Sequence, residues 1–158
     1  MKSKIIPLEQ LQRHTAEIRA AGKTLVATNG CFDILHVGHV RYLQAARALG
    51  DYLLVGVNGD ASTRELKGAG RPINNENDRA EVLAALAAVD LVTIFPEVRA
   101  TRFLELAQPS IYVKGGDYTV DSLNDSERKL LEQVGTEIRI IPFEKGYSTS
   151  SLLAKLTK

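Results

Sequence analysis

Apolar residues follow two rhythms along this chain, short near-continuous runs and runs at helical spacing, and their alternation predicts a sheet wrapped by helices. Leu8, Leu11, Ile18 and Ala21 recur at near-helical intervals until Gly22, which predicts a leading helix within residues 1–22, packed on the rest of the domain. Thr24 to Thr28 reads as a first strand feeding a turn at Asn29-Gly30. A helix over 37–49 then carries Val37, Val40, Leu43, Ala46 and Leu49 on one face. Residues 52–57, Tyr-Leu-Leu-Val-Gly-Val, have the pattern of a strand buried on both faces, which argues for a parallel sheet.

Residues 58–76 have turn residues at both ends and project Arg64, Lys67 and Arg71, so they read as a long connection, of the kind that is functional or mobile. Asn77 or Asp78 caps the next helix, whose apolar face is Val82, Leu83, Leu86 and Val89. Strands are expected at 90–95, 110–113 and 137–141, and helices at 98–107, 126–134 and 148–156. The predicted fold is one α/β domain over residues 1–158, doubly wound and Rossmann-like, with a mostly parallel sheet of about five strands.

Composition narrows the setting. The net charge is +1, from 20 basic and 19 acidic residues, so no global field draws the chain to nucleic acid or to an anionic membrane. A single cysteine, Cys31, excludes an internal disulfide. No apolar run approaches the length of a membrane span, and no secretory leader opens the chain, so a cytoplasmic protein is expected.

In a parallel sheet the loops after successive strands share one edge. That edge would gather Gly30, His36, His39, Lys67, Arg71, Lys114, Gly115, Gly116 and the hydroxyls of Ser148, Thr149 and Ser150. Glycines let backbone N–H groups approach phosphate oxygens, cations offset their charge, and a helix start offers free amides, so the set suits a polyphosphate. His36 and His39 could also merely cap a helix, or bind zinc, for which the usual third ligand is not evident; Cys31 has no base arranged for thiol catalysis.

Gly30-Cys31-Phe32-Asp33-Ile34-Leu35-His36-Val37-Gly38-His39 closely resembles the G-x-F-D-x-x-H-x-G-H signature of the cytidylyltransferase-like nucleotidyltransferases. Within that family, residues 57–62, 66–74, 113–118 and 148–150 look most like the adenylyltransferase domain of bacterial ADP-heptose synthesis. The chain departs from that pattern at Gly59 and within Gly146-Tyr147-Ser148-Thr149-Ser150. The resemblance implies the H-x-G-H nucleotidyltransferase fold and transfer of AMP from ATP, with Mg2+, to a sugar 1-phosphate, D-glycero-β-D-manno-heptose 1-phosphate. It also implies a homodimer fed by a separate sugar kinase.

By the same resemblance, His36, His39 and Lys67 are the catalytic groups. The nucleotide would be held by Asn29, Gly30, Cys31, Phe32, His36, His39, Lys114, Gly115, Gly116, Asp117, Ser148, Thr149 and Ser150. The acceptor would meet Asp33, Lys67, Arg71 and Tyr118, and no protein metal ligand set is expected; Asp33 is the nearest candidate for one, or a helix cap. Two other readings stay open: a cytidylyltransferase using CTP with glycerol 3-phosphate or a phospho-amino-alcohol, and a non-catalytic nucleotide-binding module.

Overall fold

A computed structural model describes residues 3–116, 119–142 and 146–157. Five strands run parallel in the order β3-β2-β1-β4-β5: β1 Leu25–Gly30, β2 Tyr52–Asn58, β3 Leu91–Phe95, β4 Ile111–Gly115 and β5 Glu137–Ile141. The helices are α1 Leu8–Ala20, α2 Val37–Arg47, α3 Asp60–Lys67, α4 Glu76–Ala84, α5 Thr101–Ala107, α6 Asp125–Gln133 and α7 Thr149–Leu156. The doubly wound architecture is as expected, and the sheet is wholly parallel rather than mostly so.

The central strands alternate their side chains between two cores, as a strand covered on both faces must. Val26, Leu53, Val55 and Val57 pack with Leu43, Ala46 and Leu83 of α2 and α4. Leu25, Ala27 and Leu54 pack on the other face with Leu11, Phe103, Leu104 and Leu131 of α1, α5 and α6. A side chain at Gly56 is excluded by the second core, because a Cβ there would lie 2.8 Å from Phe103 Cζ.

The sheet opens where the winding direction changes. β1 and β2 pair over six residues, Leu25↔Tyr52 to Gly30↔Val57, whereas β1 and β4 pair only at Val26↔Ile111 and Ala27↔Tyr112. The helices after β1 and β4 lie on opposite faces, so the carboxyl ends of these two strands part and leave a cleft, the usual ligand position in open α/β sheets.

Five local expectations are corrected. Asn29 and Gly30 belong to β1, because strand pairing with Gly56 and Val57 continues through them. The supposed connection at 58–76 contains α3, whose polar sequence hid it: Ser62 and Thr63 are buried, and their hydroxyls donate to Gly59 and Asn58 carbonyls. The next helix starts at Glu76 with Asn75 as its cap, Asn75 Oδ1 accepting from Asp78 N at 2.9 Å; Val82 is exposed, and Leu86 and Val89 lie beyond its end. The helix expected over 98–107 begins only at Thr101, and Val37 is exposed rather than buried.

Candidate active site

The first lobe of the cleft, about 350 Å³, is lined from four segments: Asn29 to Asp33, His36 and His39 at the end of β1 and after it, Lys67 and Arg71 after β2, Lys114 and Gly115 at the end of β4, and Ser148 to Ser150 before and at the start of α7. The structure thus brings together nearly every residue the sequence singled out. Gly116 lies just past β4 at φ +103, donates its N–H to Ile141 O, and lines neither lobe. Asp117 and Tyr118 fall outside the described residues.

The two histidines are oriented by the helix they introduce. His36 is the N-cap of α2, and its Nδ1 accepts from Gly38 N at 3.1 Å, while His39 Nδ1 accepts from His36 N at 3.3 Å. Both Nδ1 atoms therefore serve as acceptors, so in each neutral ring the proton sits on Nε2. Two Nε2–H donors are left for a ligand, from rings with centroids 3.9 Å apart. Capping and ligand binding, alternatives in the sequence, are both available to the same rings because they use different nitrogens.

Gly38 has no room for a side chain: a Cβ would lie 2.8 Å from His36 Cε1 and 2.9 Å from Tyr147 Cβ. Tyr147 stacks on His36 with centroids 6.2 Å apart, and the Arg41 guanidinium lies 5.8 Å from the Tyr147 ring centroid. Tyr147 thus closes the outer side of the histidine pair.

Burial lowers the His39 pKa from 6.5 to about 4, helped by the charges of His36 and Lys67; burial also lowers His36. Both rings are accordingly neutral donors near pH 7, and Lys67 lines the same lobe. A histidine with a depressed native pKa takes up protons more readily when unfolded, so its contribution to stability is full above 6.5 and is lost on acidification towards about 4. The urea midpoint is expected to fall between about pH 7 and pH 5, and His39→Asn should flatten this fall. Equal slopes in both proteins would remove His39 as its source.

Asp33 departs from two of the roles given to it, the helix cap and the metal ligand. Its carboxylate accepts from Arg71 Nε at 2.7 Å, Ile73 N at 2.8 Å and Asn74 N at 2.9 Å, while its carbonyl takes Asn74 Nδ2 at 2.9 Å. It neither caps α2, which His36 does, nor offers an open carboxylate to a metal; it straps the 71–74 segment onto the histidine loop. Burial pushes this carboxyl up, but the Asn74 and Ile73 N–H groups and Arg71 outweigh it and hold it below its ordinary value. Ser148 and Thr149 are also partly committed, Ser148 Oγ accepting Ser151 N as the α7 cap and Thr149 Oγ1 donating to Ile34 O. What they offer a ligand is chiefly the helix start, with Ser150 beside it.

Sequence reasoning missed Arg79, whose side chain is 0% exposed. Its guanidinium donates to Asn74 O, Cys31 O, Asn58 O and Asp60 Oδ1, all within 2.9 Å. One side chain therefore ties the ends of β1 and β2, the start of α3 and the Asp33-bound segment. The available signal was register: Arg79 falls one helical turn before Leu83, on the buried face.

No three of His, Cys, Asp or Glu converge to hold a metal among the described residues. Nor is any helix among them long and apolar enough to cross a membrane.

Comparison with known proteins gives the family and the fold. The Cytidylyltransferase-like family model matches residues 27–155. The chain is 47% identical over 154 residues to the bifunctional protein HldE of Geotalea uraniireducens, and 47% identical over 152 residues to that of Pseudomonas paraeruginosa. These matches cover 98% and 96% of this chain but 31% and 32% of the relatives, so the chain spans about a third of their length. The crystal structure of the lipopolysaccharide core biosynthesis protein from Thermoplasma volcanium is similar at a TM-score of 0.65 and 30% identity, over 80% of this chain and all of that one. Pantoate-beta-alanine ligase from Francisella tularensis shares the fold alone, at a TM-score of 0.61 and 14% identity over 91% of this chain and 68% of its own.

Proposed function

The chain belongs to the cytidylyltransferase-like family of nucleotidyltransferases, and within that family we propose that it transfers AMP from ATP to D-glycero-β-D-manno-heptose 1-phosphate, giving ADP-heptose and pyrophosphate. The observation that carries this reading is the pair of neutral imidazoles, each fixed through Nδ1 and free to donate from Nε2, beside Lys67, Arg71 and the start of α7. That set matches the needs of a polyphosphate. The choice of adenine and of heptose rests on the resemblance of the sequence motifs.

The reaction is an in-line displacement at the α-phosphorus. An oxygen of the sugar phosphate attacks, the α–β bridging bond breaks, and pyrophosphate leaves with that electron pair. A phosphate monoester, with a second pKa of about 6, is already ionised near neutral pH, so no general base is needed. The chain supplies alignment and charge stabilisation. His36 and His39 donate to the oxygens on which charge grows, Arg71 offsets the charge of pyrophosphate and Lys67 that of pyrophosphate and acceptor, and the amides of Gly30 and the α7 start approach phosphate. Magnesium, when bound, neutralises the phosphates; with Asp33 committed to its strap, the phosphates and water would be its main ligands.

Pyrophosphate release should be measured with each of the four nucleoside triphosphates against heptose 1-phosphate and against glycerol 3-phosphate. Turnover with ATP and heptose 1-phosphate is expected to dominate. Turnover with CTP and glycerol 3-phosphate alone would overturn the assignment, and nucleotide binding with no release from any pair would make the chain a binding module.

A further inference from the structure

The cleft does not end at the histidines. A second lobe of about 580 Å³ continues across Asn29, Gly30, Cys31, Lys67 and Lys114, which line both lobes, onto the face covered by α5 and α6. Its character differs from that of the first. Asn58, Arg99, Ser122, Asn124 and Glu127 line it, together with the apolar Leu66, Val98 and Leu123.

Several of these polar groups are held in place by one atom while another is unspent among the described residues. Asn124 Oδ1 caps α6 by accepting from Ser126 N and Glu127 N, and its Nδ2 has no partner. Glu127, 6% exposed, accepts from Ala100 N through Oε1 at 2.9 Å, leaving Oε2. Asn58 Nδ2 donates to Glu97 O and Ser62 Oγ, leaving Oδ1 without a donor. Arg99 forms no ion pair with any described residue, so its charge is available to a ligand.

We propose that this second lobe is the acceptor site, and that it takes the polyhydroxylated ring of a glycosyl 1-phosphate, with Arg99, Asn124 and Glu127 selecting it. The proposal rests on the transfer reading and adds where the acceptor sits. Fixed neutral donors and acceptors beside one carboxylate suit hydroxyl groups, whereas the first lobe, with its imidazoles and helix start, suits phosphate. Lys67 and Lys114 at the seam stand where the acceptor phosphate and the α-phosphate must meet. Placing the acceptor across the seam from the triphosphate also lets it attack from the side away from pyrophosphate, as in-line displacement demands. Arg71 and Asp33, expected to meet the acceptor, line only the first lobe.

The test is equilibrium titration of the full chain with two probes, D-glycero-β-D-manno-heptose 1-phosphate and the α,β-methylene analogue of ATP. Three substitutions are informative. Glu127→Gln keeps the acceptor for Ala100 N and turns the other oxygen into a donor; Asn124→Asp keeps the cap and removes the amide donor; Arg99→Glu reverses the charge. Each is expected to weaken the sugar phosphate about tenfold, the effect of one hydrogen bond to a charged or fixed partner, while the ATP analogue binds within about twofold of wild type and thermal melts are unchanged. The two probes should bind together. The assignment is overturned if the sugar phosphate does not bind wild type, if it competes with the ATP analogue, or if the three variants leave its affinity unchanged. Selective weakening of the sugar phosphate without pyrophosphate release from any pair keeps the site and rejects the transfer reading.

Discussion

His39→Asn is expected to lower turnover by about 10²- to 10³-fold with the chain still folded, the loss typical of removing one preorganised donor to a developing oxyanion, roughly 3 to 4 kcal/mol. Asparagine is the sharper substitution than alanine. Its Oδ1 can accept from His36 N much as Nδ1 does, so the helix cap survives, while nothing replaces the Nε2–H. His39→Ala removes both, along with ring contacts to His36 and Phe32 at centroid distances of 3.9 and 5.7 Å, and should lose a further ~1 kcal/mol of stability from the cap. The two variants separate chemistry from folding: similar rates with different melting temperatures are expected. Undiminished pyrophosphate release by His39→Asn would end the proposal that this ring stabilises the transition state.

Arg79→Met should be the most destabilising single change at the site, about 3 to 5 kcal/mol by urea unfolding. Methionine fills much of the volume but removes the guanidinium donors to the carbonyls of Cys31 and Asn74, leaves the Asn58 carbonyl with the Thr63 hydroxyl alone, and takes the cation from Asp60. Orphaned buried acceptors each lose about 1 to 3 kcal/mol, and the whole domain holds only about 5 to 15. The contrast is Arg13 with Glu17, 4.0 Å apart with both side chains about 70% exposed, where removal should change stability by at most about 0.5 kcal/mol. A shift of less than about 1 kcal/mol in Arg79→Met would mean that water replaces the guanidinium in these bonds.

The parts of this protein legible in its sequence are those governed by neighbours. β5 spans Glu137–Ile141 as its pattern indicated, and α7 starts within one residue of the expected position, at Thr149 behind its cap Ser148, because side-chain period and helix-start signals are local properties. α3 escaped because its stability comes from buried hydroxyls bonding to Asn58 and Gly59 rather than from an apolar stripe. Asp33 was open to misreading for a related reason: its partners lie 38 to 41 residues away, and no spacing rule reaches that far.

Local pattern along the chain was enough to set the alternation of the five strands with most of the helices, the strand-to-helix junction that carries the two histidines, and the family to which those residues point. How the loops meet came from folding alone. Short pairing between β1 and β4 parts the sheet at its switch point, Arg79 and Asp33 lock the loops around the opening, and two lobes of different chemistry result. These are contacts between distant segments, fixed by sheet register and by the penalty for leaving buried polar groups unpaired, and neither is written in any short stretch of chain.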